Sequence, residues 1–311
     1  MPARHVMFVV NESASAVTPR HRVVIAKALA ADHKLEVVDT GARGHATELA
    51  TQAAEEGWDA VVTLGGDGTV NEVANGLVGS DTALGVLPGG STNVFARTLG
   101  FDRDPVEATA QLLASLDAPG QGVRRIGLGR VNGRHFLFNA GVGFDAAVID
   151  RVERRSHLKR YAGQPVFVAA AVDTWLRHYD RRRPRFGLSE GQLDEPLNAY
   201  FAVFLNSDPY TYLGKRPLHL APDTDCDSGL TAVAFSRLRA GDLLGVALRA
   251  LGSGRRVGQH PRVWRTSGIR SAVVEADAPI PYQVDGDYLG EAERLEFGHT
   301  PAALDVILPG C

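Results

Sequence analysis

The 311-residue sequence has few cysteines, little excess of one charge and no long apolar run. Its two cysteines are Cys226, in an acidic loop, and Cys311, the last residue, so we expect a reducing compartment and no structural disulfide. A net charge of −3 gives no general attraction to nucleic acid. The run Val166–Val172 is far shorter than the roughly 20 residues of a membrane-spanning helix, and Val6–Val10 is too short for a signal peptide. These absences predict a cytoplasmic protein.

The first third of the sequence alternates short apolar runs with helical patterns. The predicted strands are Val6–Val10, Leu35–Asp39, Ala60–Leu64 and Leu84–Leu87. The predicted helices are Arg20–Ala31, Ala46–Glu56 and Val70–Leu77. Strands that are apolar throughout and alternate with helices are typical of a parallel sheet covered on both faces. We therefore predict a doubly wound α/β domain over residues 1–122, ending at the turn Pro119–Gly122.

The pattern then changes to strands joined by turn-rich segments. The predicted strands are Val123–Leu128, His135–Ala140, Leu197–Leu205, Leu218–Ala221, Leu230–Ser236, Ser271–Glu275 and Tyr282–Val284. Two helical segments interrupt them, Asp145–His178 with a break at Gln164–Pro165, and Leu243–Leu251. This pattern predicts a largely antiparallel β-domain over residues 123–295. The C-terminal residues 296–311 are expected to pack back on the first domain.

The turn after the third predicted strand places one carboxylate, Asp67, among the glycines of Gly65–Thr69. Glycines at the carboxyl end of a parallel strand allow a close approach to a ligand and a positive φ, and the next helix N-terminus suits a phosphate. A carboxylate repels phosphate unless a divalent cation lies between them, so we predict that Asp67 binds Mg²⁺ directly or through water. The structural alternative is a capping box formed by Thr69 and Glu72.

Small polar residues follow the other predicted strands of this domain. Pro88–Gly90 forms a second glycine turn, and Ser91–Asn93 opens the helix after it. Asn11 and Thr40 follow the first and second strands. Because the carboxyl ends of parallel strands meet at one edge, these residues together predict one ligand site. As a structural alternative, Ser91–Asn93 are good helix N-caps.

The motifs GGDGTVNEVANGL, LPGGSTNVFAR, NAGVGFDA and YQVDGDYL resemble the catalytic domain of the diacylglycerol kinase family, which includes sphingosine kinases and soluble bacterial lipid kinases. The resemblance implies a Rossmann-like N-terminal domain, a β-sandwich C-terminal domain and an active site in the cleft between them. It implies ATP and Mg²⁺ as cofactors and a lipid hydroxyl as acceptor, diacylglycerol above all, in phospholipid synthesis. The nucleotide-binding residues it implies are Asn11, Thr40, Gly65, Gly66, Asp67, Gly68, Thr69, Asn71, Glu72, Gly90, Ser91, Thr92 and Asn93.

The late motif Tyr282–Leu289 carries two carboxylates at the end of a predicted strand. Phosphoryl transfer needs positioning, neutralisation of charge and an acceptor for the hydroxyl proton. The resemblance assigns the base role to Asp285. Asp287 stands where many relatives have glutamate, and a metal or water contact is as well supported for it as an acid–base role. The structural alternative is an ordinary Asp-Gly turn.

Two positions depart from the family pattern. Gly127 stands where relatives carry an acid in the strand after the first domain. Ser228 stands where an aspartate of a structural Mg²⁺ loop is expected, next to Asp227. The loop has either lost its metal or binds it through Asp225 and Asp227 in a shifted register.

Two rival functions follow from these observations. GGDGT also occurs in NAD kinases, so a kinase acting on a soluble substrate is the first alternative. Gly127 and Ser228 motivate the second, a nucleotide- or lipid-binding regulator without catalysis.

For the lipid kinase, the basic segment Arg151–Arg185 is either a set of solvated helix faces or a transient contact with anionic headgroups. Val166, Phe167, Val168, Trp175 and Leu176 are its candidate apolar contacts. The oligomeric state stays open, with a homodimer among the alternatives.

Overall fold

The computed structural model describes residues 3–116, 122–154, 164–180 and 182–310, with the backbone alone for residues 164–166. It divides the chain into two compact units, Met1–Gly127 with Pro301–Cys311, and Leu128–Thr300. Several residues of the predicted basic segment lie outside the described residues, namely Arg155, Lys159, Arg160 and Arg181. Cys311 and the side chain of Val166 also lie outside them.

The first unit contains a parallel sheet with helices in its connections. Its strands are β1 (His5–Val10), β2 (Lys34–Asp39), β3 (Ala60–Gly65) and β4 (Ala83–Pro88). Its helices are α1 (Pro19–Asp32), α2 (His45–Glu55), α3 (Asp67–Leu77), α4 (Val94–Leu99) and α5 (Pro105–Leu116). The strand order is β4-β3-β1-β2, with every pair parallel. The α/β fold predicted for this part of the chain is confirmed.

The prediction that all these strands are buried throughout is wrong for β2. Strands β3 and β4 are buried at every position, whereas β2 lies at the edge of the sheet and exposes much of its length, including Val37. Because an edge strand has a neighbour on one side only, apolar residues in it do not imply complete burial. Its charged residues Lys34 and Glu36 fit this exposed position.

The second unit is rich in antiparallel strands. They are β5 (Val123–Val131), β6 (Arg134–Phe136), β7 (Asn139–Gly143), β8 (Phe186–Glu190), β9 (Leu197–Ala199), β10 (Phe201–Leu205), β11 (Thr211–Leu213), β12 (Arg216–Leu218), β13 (Leu230–Phe235), β14 (Val263–Ile269), β15 (Ser271–Val284) and β16 (Asp287–Ile307). The main order is β14-β13-β10-β7-β15-β16, and β8 pairs with β15 and β9. The first residues of β5 and the last of β16 belong to the first unit, where Val306 pairs with Leu84.

Side chains alternate between two cores along the central strand β10. Ala202 and Phe204 enter a core made by strands alone, in which Phe204 stacks on Phe297 of β16 with ring centroids 3.7 Å apart. Phe201, Val203 and Leu205 face the opposite core. Because β10 and β16 are not neighbours in the sheet, the ring contact joins two layers, as in a β-sandwich.

Helices cover the second core of this unit. They are α6 (Phe144–Glu153), α7 (Gln164–Asp173), a π-helical turn (Thr174–His178) and α8 (Ala240–Ala250). The predicted break near Gln164 coincides with the start of α7, and residues 155–163 lie outside the described part of the chain. Within the described residues, no helix combines the length and apolar character needed to cross a bilayer.

Candidate functional site

One group of candidate residues lies at the carboxyl edge of the parallel sheet in the first unit. Asn11 follows β1, Thr40 follows β2, and the two glycine turns follow β3 and β4. The amide nitrogen of Asn11 (Nδ2) donates to Oγ1 of Thr69 over 2.8 Å, so a side-chain hydrogen bond joins the end of β1 to the first turn of α3. The structure therefore brings most of the predicted nucleotide-binding residues to one edge.

The two glycine turns pack backbone against backbone. A Cβ atom on Gly90 would lie 2.7 Å from Cα of Gly66, and one on Gly89 would lie 2.8 Å from the nitrogen of Gly65. The expectation of positive φ angles is wrong for the first turn, because none of its three glycines, Gly65, Gly66 and Gly68, adopts one. Gly89 and Gly90 therefore require glycine for the close approach of the two turns rather than for a left-handed backbone.

Asp67 is the first residue of α3, and its carboxylate reaches the next helix of the unit. Its oxygens accept the backbone N–H groups of Val94 at 3.0 Å and Phe95 at 3.1 Å, where α4 begins. The proposed capping box is wrong: the N-cap of α3 is Gly66, without a side-chain hydrogen bond. The carboxylate of Glu72 instead accepts the amide of Gly44, at 2.9 Å.

Asn93, expected as a helix cap, fixes the second glycine turn instead. Its Oδ1 accepts the amide of Gly90 at 2.7 Å, and its Nδ2 donates to the carbonyl of Gly90 at 2.8 Å. It precedes α4 with a left-handed backbone and no side-chain bond to that helix. Asn71 is buried and its backbone carbonyl accepts from Asn75 at 2.8 Å. Nucleotide contacts by Asn71, Glu72, Ser91 and Thr92 stay predictions.

This edge fits a nucleotide with its metal better than a metal alone. Among the described residues, no three His, Cys, Asp or Glu side chains gather as a metal site. Mg²⁺ commonly takes one or two protein carboxylates and completes its shell with water and phosphate oxygens. Asp67 supplies one such carboxylate at the N-terminus of an 11-residue helix, whose amides favour phosphate. The residues thus fit Mg²⁺ that arrives with phosphates.

A separate group of candidate residues lies in the second unit, at the two-residue turn between β15 and β16. Asp285 and Gly286 have φ angles of 48° and 82°, which is the left-handed pair of a type I′ hairpin with an Asp-Gly sequence. Asp285 is only 3% exposed. Its carboxylate accepts three backbone N–H groups, from Leu137 at 2.7 Å, Phe138 at 3.0 Å and Asn139 at 3.1 Å. Asp287 begins β16 and is half-buried.

The sequence analysis did not identify the polar side chains behind this turn. Three of them, Asn139, Asp145 and Gln283, belong to the motifs NAGVGFDA and YQVDGDYL. Gln283 donates to Oδ2 of Asp145 and to Oδ1 of Asn139, both over 2.8 Å, and Tyr210 donates its hydroxyl to Asp145. Burial raises the pKa of the Asp145 carboxyl, against the effect of the hydrogen bonds from Tyr210 and Gln283. Burial, together with the neighbouring Asp145, raises the pKa of the Tyr210 hydroxyl well above its usual range.

The loop of the second unit that was expected to hold a structural metal is closed by its own hydrogen bonds. The hydroxyl of Ser228 lies 2.7 and 2.8 Å from the two carboxylate oxygens of Asp225. The amides of Asp227 and Ser228 donate to the same carboxylate at 2.9 and 2.8 Å. These bonds hold the Asp225 carboxylate against its own loop, and a metal bound by Asp225 and Asp227 stays a prediction. Gly127 lies in β5 and supplies no carboxylate.

Comparisons with known proteins show which family the chain resembles. A family model described as the diacylglycerol kinase catalytic domain matches residues 5–121. A diacylglycerol kinase of Bacillus subtilis (strain 168) is 41% identical over 276 residues, covering 87% of this chain and 84% of that protein. A protein of Chromohalobacter salexigens named a probable YegS-like lipid kinase is 32% identical over 228 residues, covering 72% and 68%. A crystal structure of a diacylglycerol kinase from Bacillus anthracis str. Sterne shares the fold, with a TM-score of 0.72 at 19% identity, covering 99% of this chain and 98% of that one.

Proposed function

Because this chain belongs to the diacylglycerol kinase family of lipid kinases, we propose that it transfers the γ-phosphate of ATP to a hydroxyl group of a membrane lipid, with diacylglycerol as the first acceptor to test. The observation that carries the proposal is the pair of glycine turns held backbone to backbone around Asp67. The other acceptors are a monoacylglycerol, a sphingoid base and a phosphatidyl headgroup, since each presents a suitable hydroxyl.

The first unit supplies the nucleotide half of this reaction. The amides of Gly65–Thr69 and the N-terminus of α3 receive the phosphates, where the backbone can approach a ligand without side chains in the way. Asp67, whose carboxylate accepts two backbone amides at the start of α4, is proposed to contact Mg²⁺ directly or through water. When bound, Mg²⁺ neutralises the negative charge of the phosphates that are transferred and released.

The second unit supplies the acceptor half. Asp285 is proposed to accept the proton of the lipid hydroxyl, and Asp287 to orient water or metal beside it. Three amides fix the Asp285 carboxylate before any substrate arrives, which lowers the reorganisation needed during the reaction.

An apolar helix surface supports the proposed contact with a membrane. Five large apolar side chains on α7, the π-helical turn and α8 expose 52–64% of their area. They are Val168, Val172, Leu176, Leu244 and Leu248, and we call them the exposed stripe. The positions repeat every four residues, so each helix presents them on one face. The opposite faces, through Ala170 and Val246, pack into the same core, which places both helices on one side of this unit.

Cations lie next to the exposed stripe. Leu176 also borders an open cavity of about 750 Å³ that is lined by Arg177, Arg182, Arg239 and a single carboxylate, Asp180. Apolar groups beside a cluster of arginines match the surface of an anionic bilayer, to which each basic residue contributes about 1 kcal/mol. We therefore propose that this surface brings the protein transiently to the cytoplasmic membrane face, where the acceptor lipid lies.

The test is a kinase assay with γ-³²P-labelled ATP and vesicles that contain one acceptor lipid at a time. We expect labelled lipid with at least one acceptor, and loss of label with Asp67→Asn. NAD is included as a soluble acceptor. Labelled NAD without labelled lipid would replace the proposal by the soluble-substrate kinase. ATP binding by calorimetry without transfer to any acceptor would replace it by the non-catalytic regulator.

A further inference from the structure

Behind the turn that carries Asp285 lies a connected set of buried and half-buried polar side chains with no assigned role. We call Asn139, Asp145, Tyr210 and Gln283 the turn-support network. Gln283 is 2% exposed and Asn139 is 3% exposed, so water does not satisfy their amides. Asn139 also donates Nδ2 to the backbone carbonyl of Tyr210 over 3.0 Å, which closes the network on itself.

Gln283 links this network to the turn. Its carbonyl oxygen accepts the backbone N–H of Gly286 at 2.8 Å, while its Nε2 donates to Asp145 and Asn139. A side-chain amide can make these contacts in one orientation only. Because the Asp145 carboxylate accepts hydrogen bonds, it must face the NH₂ group of Gln283. The carbonyl oxygen of Gln283 then faces the backbone N–H of Gly286.

The chain also makes room for the Asp145 side chain. A Cβ atom on Gly141 of β7 would lie 1.8 Å from Oδ2 of Asp145 and 2.7 Å from Nε2 of Gln283. Gly141 pairs directly with Gln283 in the sheet. Only a glycine at this position lets the carboxylate fold over β7 to reach Gln283. Burying a carboxyl group among neutral donors is costly for stability, so this arrangement is not explained by packing alone.

We propose that Asp145 is a positioning residue: by holding the Gln283 amide in one orientation, it fixes the hairpin turn that carries Asp285 and Asp287. The inference rests on the proposed function, because the position of the turn matters for activity only if these two carboxylates take part in phosphoryl transfer. Asp145 contacts the turn through Gln283 and needs no contact with the substrate.

The first experiment compares three variants. Asp145→Leu removes every hydrogen-bond acceptor of this side chain. We expect kcat to fall by about tenfold to a hundredfold, because small misplacements of reacting groups lower the rate by this much. The KM for ATP should stay within about twofold of the parent value. Asp145→Asn keeps one oxygen for Gln283 and a donor for the Tyr210 oxygen, and should retain most of the activity. Gly141→Ala leaves Asp145 intact but displaces it, and should resemble Asp145→Leu.

The control is another buried aspartate of the same unit. Asp242 is bonded to Arg237 at 2.7 and 3.0 Å and has no contact with the turn. Asp242→Asn should lower thermal stability without changing kcat. A double-mutant cycle with Gln283→Met then asks whether Asp145 acts through Gln283. We expect the double variant to lose no more activity than Gln283→Met alone; losses that multiply would overturn the proposal.

A second readout does not need kinase activity. Amide hydrogen exchange of Gly286 should become at least about tenfold faster in Asp145→Leu than in the parent, because its acceptor is no longer held, and unchanged in Asp242→Asn. If the parent phosphorylates no acceptor, the proposed function fails, and the exchange rate of Gly286 still decides whether Asp145 positions the turn. Unchanged exchange in Asp145→Leu would overturn the inference even in an active enzyme.

Discussion

Asp285 combines features that rarely occur in one aspartate: a left-handed backbone, almost complete burial and three backbone donors to its carboxylate. The Asp-Gly pair accounts for the turn, since both residues tolerate a positive φ. The donors come from residues 137–139, far away in sequence, so the turn is tied to the loop between β6 and β7. A carboxylate held in this way is oriented before any substrate binds.

The role of Asp285 can be separated from its contribution to stability. In Asp285→Asn an NH₂ group must face at least one backbone N–H, so we expect turnover to be lost and the free energy of unfolding to fall by about 1–3 kcal/mol. Asp287→Asn, at a half-buried position, should keep the parent's stability and lower turnover. Kinase assays and thermal unfolding of both variants provide the measurement. Full turnover in Asp285→Asn would show that another group accepts the proton.

The buried carboxyl of Asp145 predicts a characteristic dependence of stability on pH. Its pKa is raised by burial above the value of about 3.9 in an unfolded chain. Between these two pKa values the folded state binds more protons, so stability falls as pH rises through that window. Below the unfolded-state pKa both states are protonated and the effect vanishes. Its titratable contact, Tyr210, has a pKa raised well above its usual range and stays neutral.

Asp145→Asn cannot ionise and keeps the hydrogen-bonding shape of the side chain. The difference in melting temperature, parent minus variant, should therefore decrease as pH rises from about 5 upward, as linkage requires. Thermal unfolding in a series of buffers of constant ionic strength gives this difference. Two parallel curves over the whole range would mean that burial does not shift the Asp145 pKa.

At the level of elements, the two glycine turns act as one unit. Gly90→Ala would place a Cβ atom 2.7 Å from Cα of Gly66, where backbone rather than a flexible side chain must move. We expect at least about tenfold weaker ATP binding by calorimetry, because the amides that receive phosphate would be displaced. The matched control is Gly241→Ala on α8, where an added Cβ meets nothing within 4 Å. Equal ATP affinity of both variants would separate the second turn from the nucleotide site.

Sequence patterns predicted the elements with strong local signals. The runs of β1, β3 and β4, the helices α1 to α3 and the two glycine turns were found because burial and turn chemistry are visible within a few residues. The predicted strand His135–Ala140 is instead two strands, β6 and β7, because the amides of residues 137–139 turn to the Asp285 carboxylate. That partner lies more than a hundred residues away and leaves no local pattern.

The same limit applies to the site. The motif Gly65–Thr69 pointed to a ligand edge, yet it could not show that Asp67 binds the amides of α4 or that its glycines avoid positive φ. Asp145 was part of a quoted motif, but its role depends on Gln283, which is 138 residues away. Contacts of this kind follow from strand register, which a single sequence does not specify.

At the level of the whole molecule, the chain is divided between a nucleotide-type α/β unit and a strand-rich unit, and the proposed reaction needs groups from both. The exposed stripe adds a third requirement, access to a lipid. Its apolar residues lie on two helices whose inner faces fill a core, so the outer faces need not be apolar for folding. A lipid surface is the partner that we propose for these five side chains and the arginines beside them.

Vesicle binding tests this surface directly. Leu244→Ser/Leu248→Ser should lower partitioning onto anionic vesicles by about tenfold or more at any salt concentration, since burying each leucine fully in the bilayer is worth about 1.5–3 kcal/mol. Arg182→Gln/Arg183→Gln should weaken binding mainly at low salt, because attraction to headgroups is screened over about 8 Å at physiological ionic strength. Neither change should alter the affinity for ATP.

The control is Val23→Ser on α1, since Val23 is a 51% exposed valine of the other unit and should leave vesicle binding unchanged. Light scattering of the same samples tests the competing occupant, a second copy of the chain. If the leucine variant binds vesicles like the parent but changes a dimer into a monomer, the exposed stripe is a subunit interface. If it changes neither, these side chains play no part in membrane contact, and the acceptor lipid must be reached through another surface.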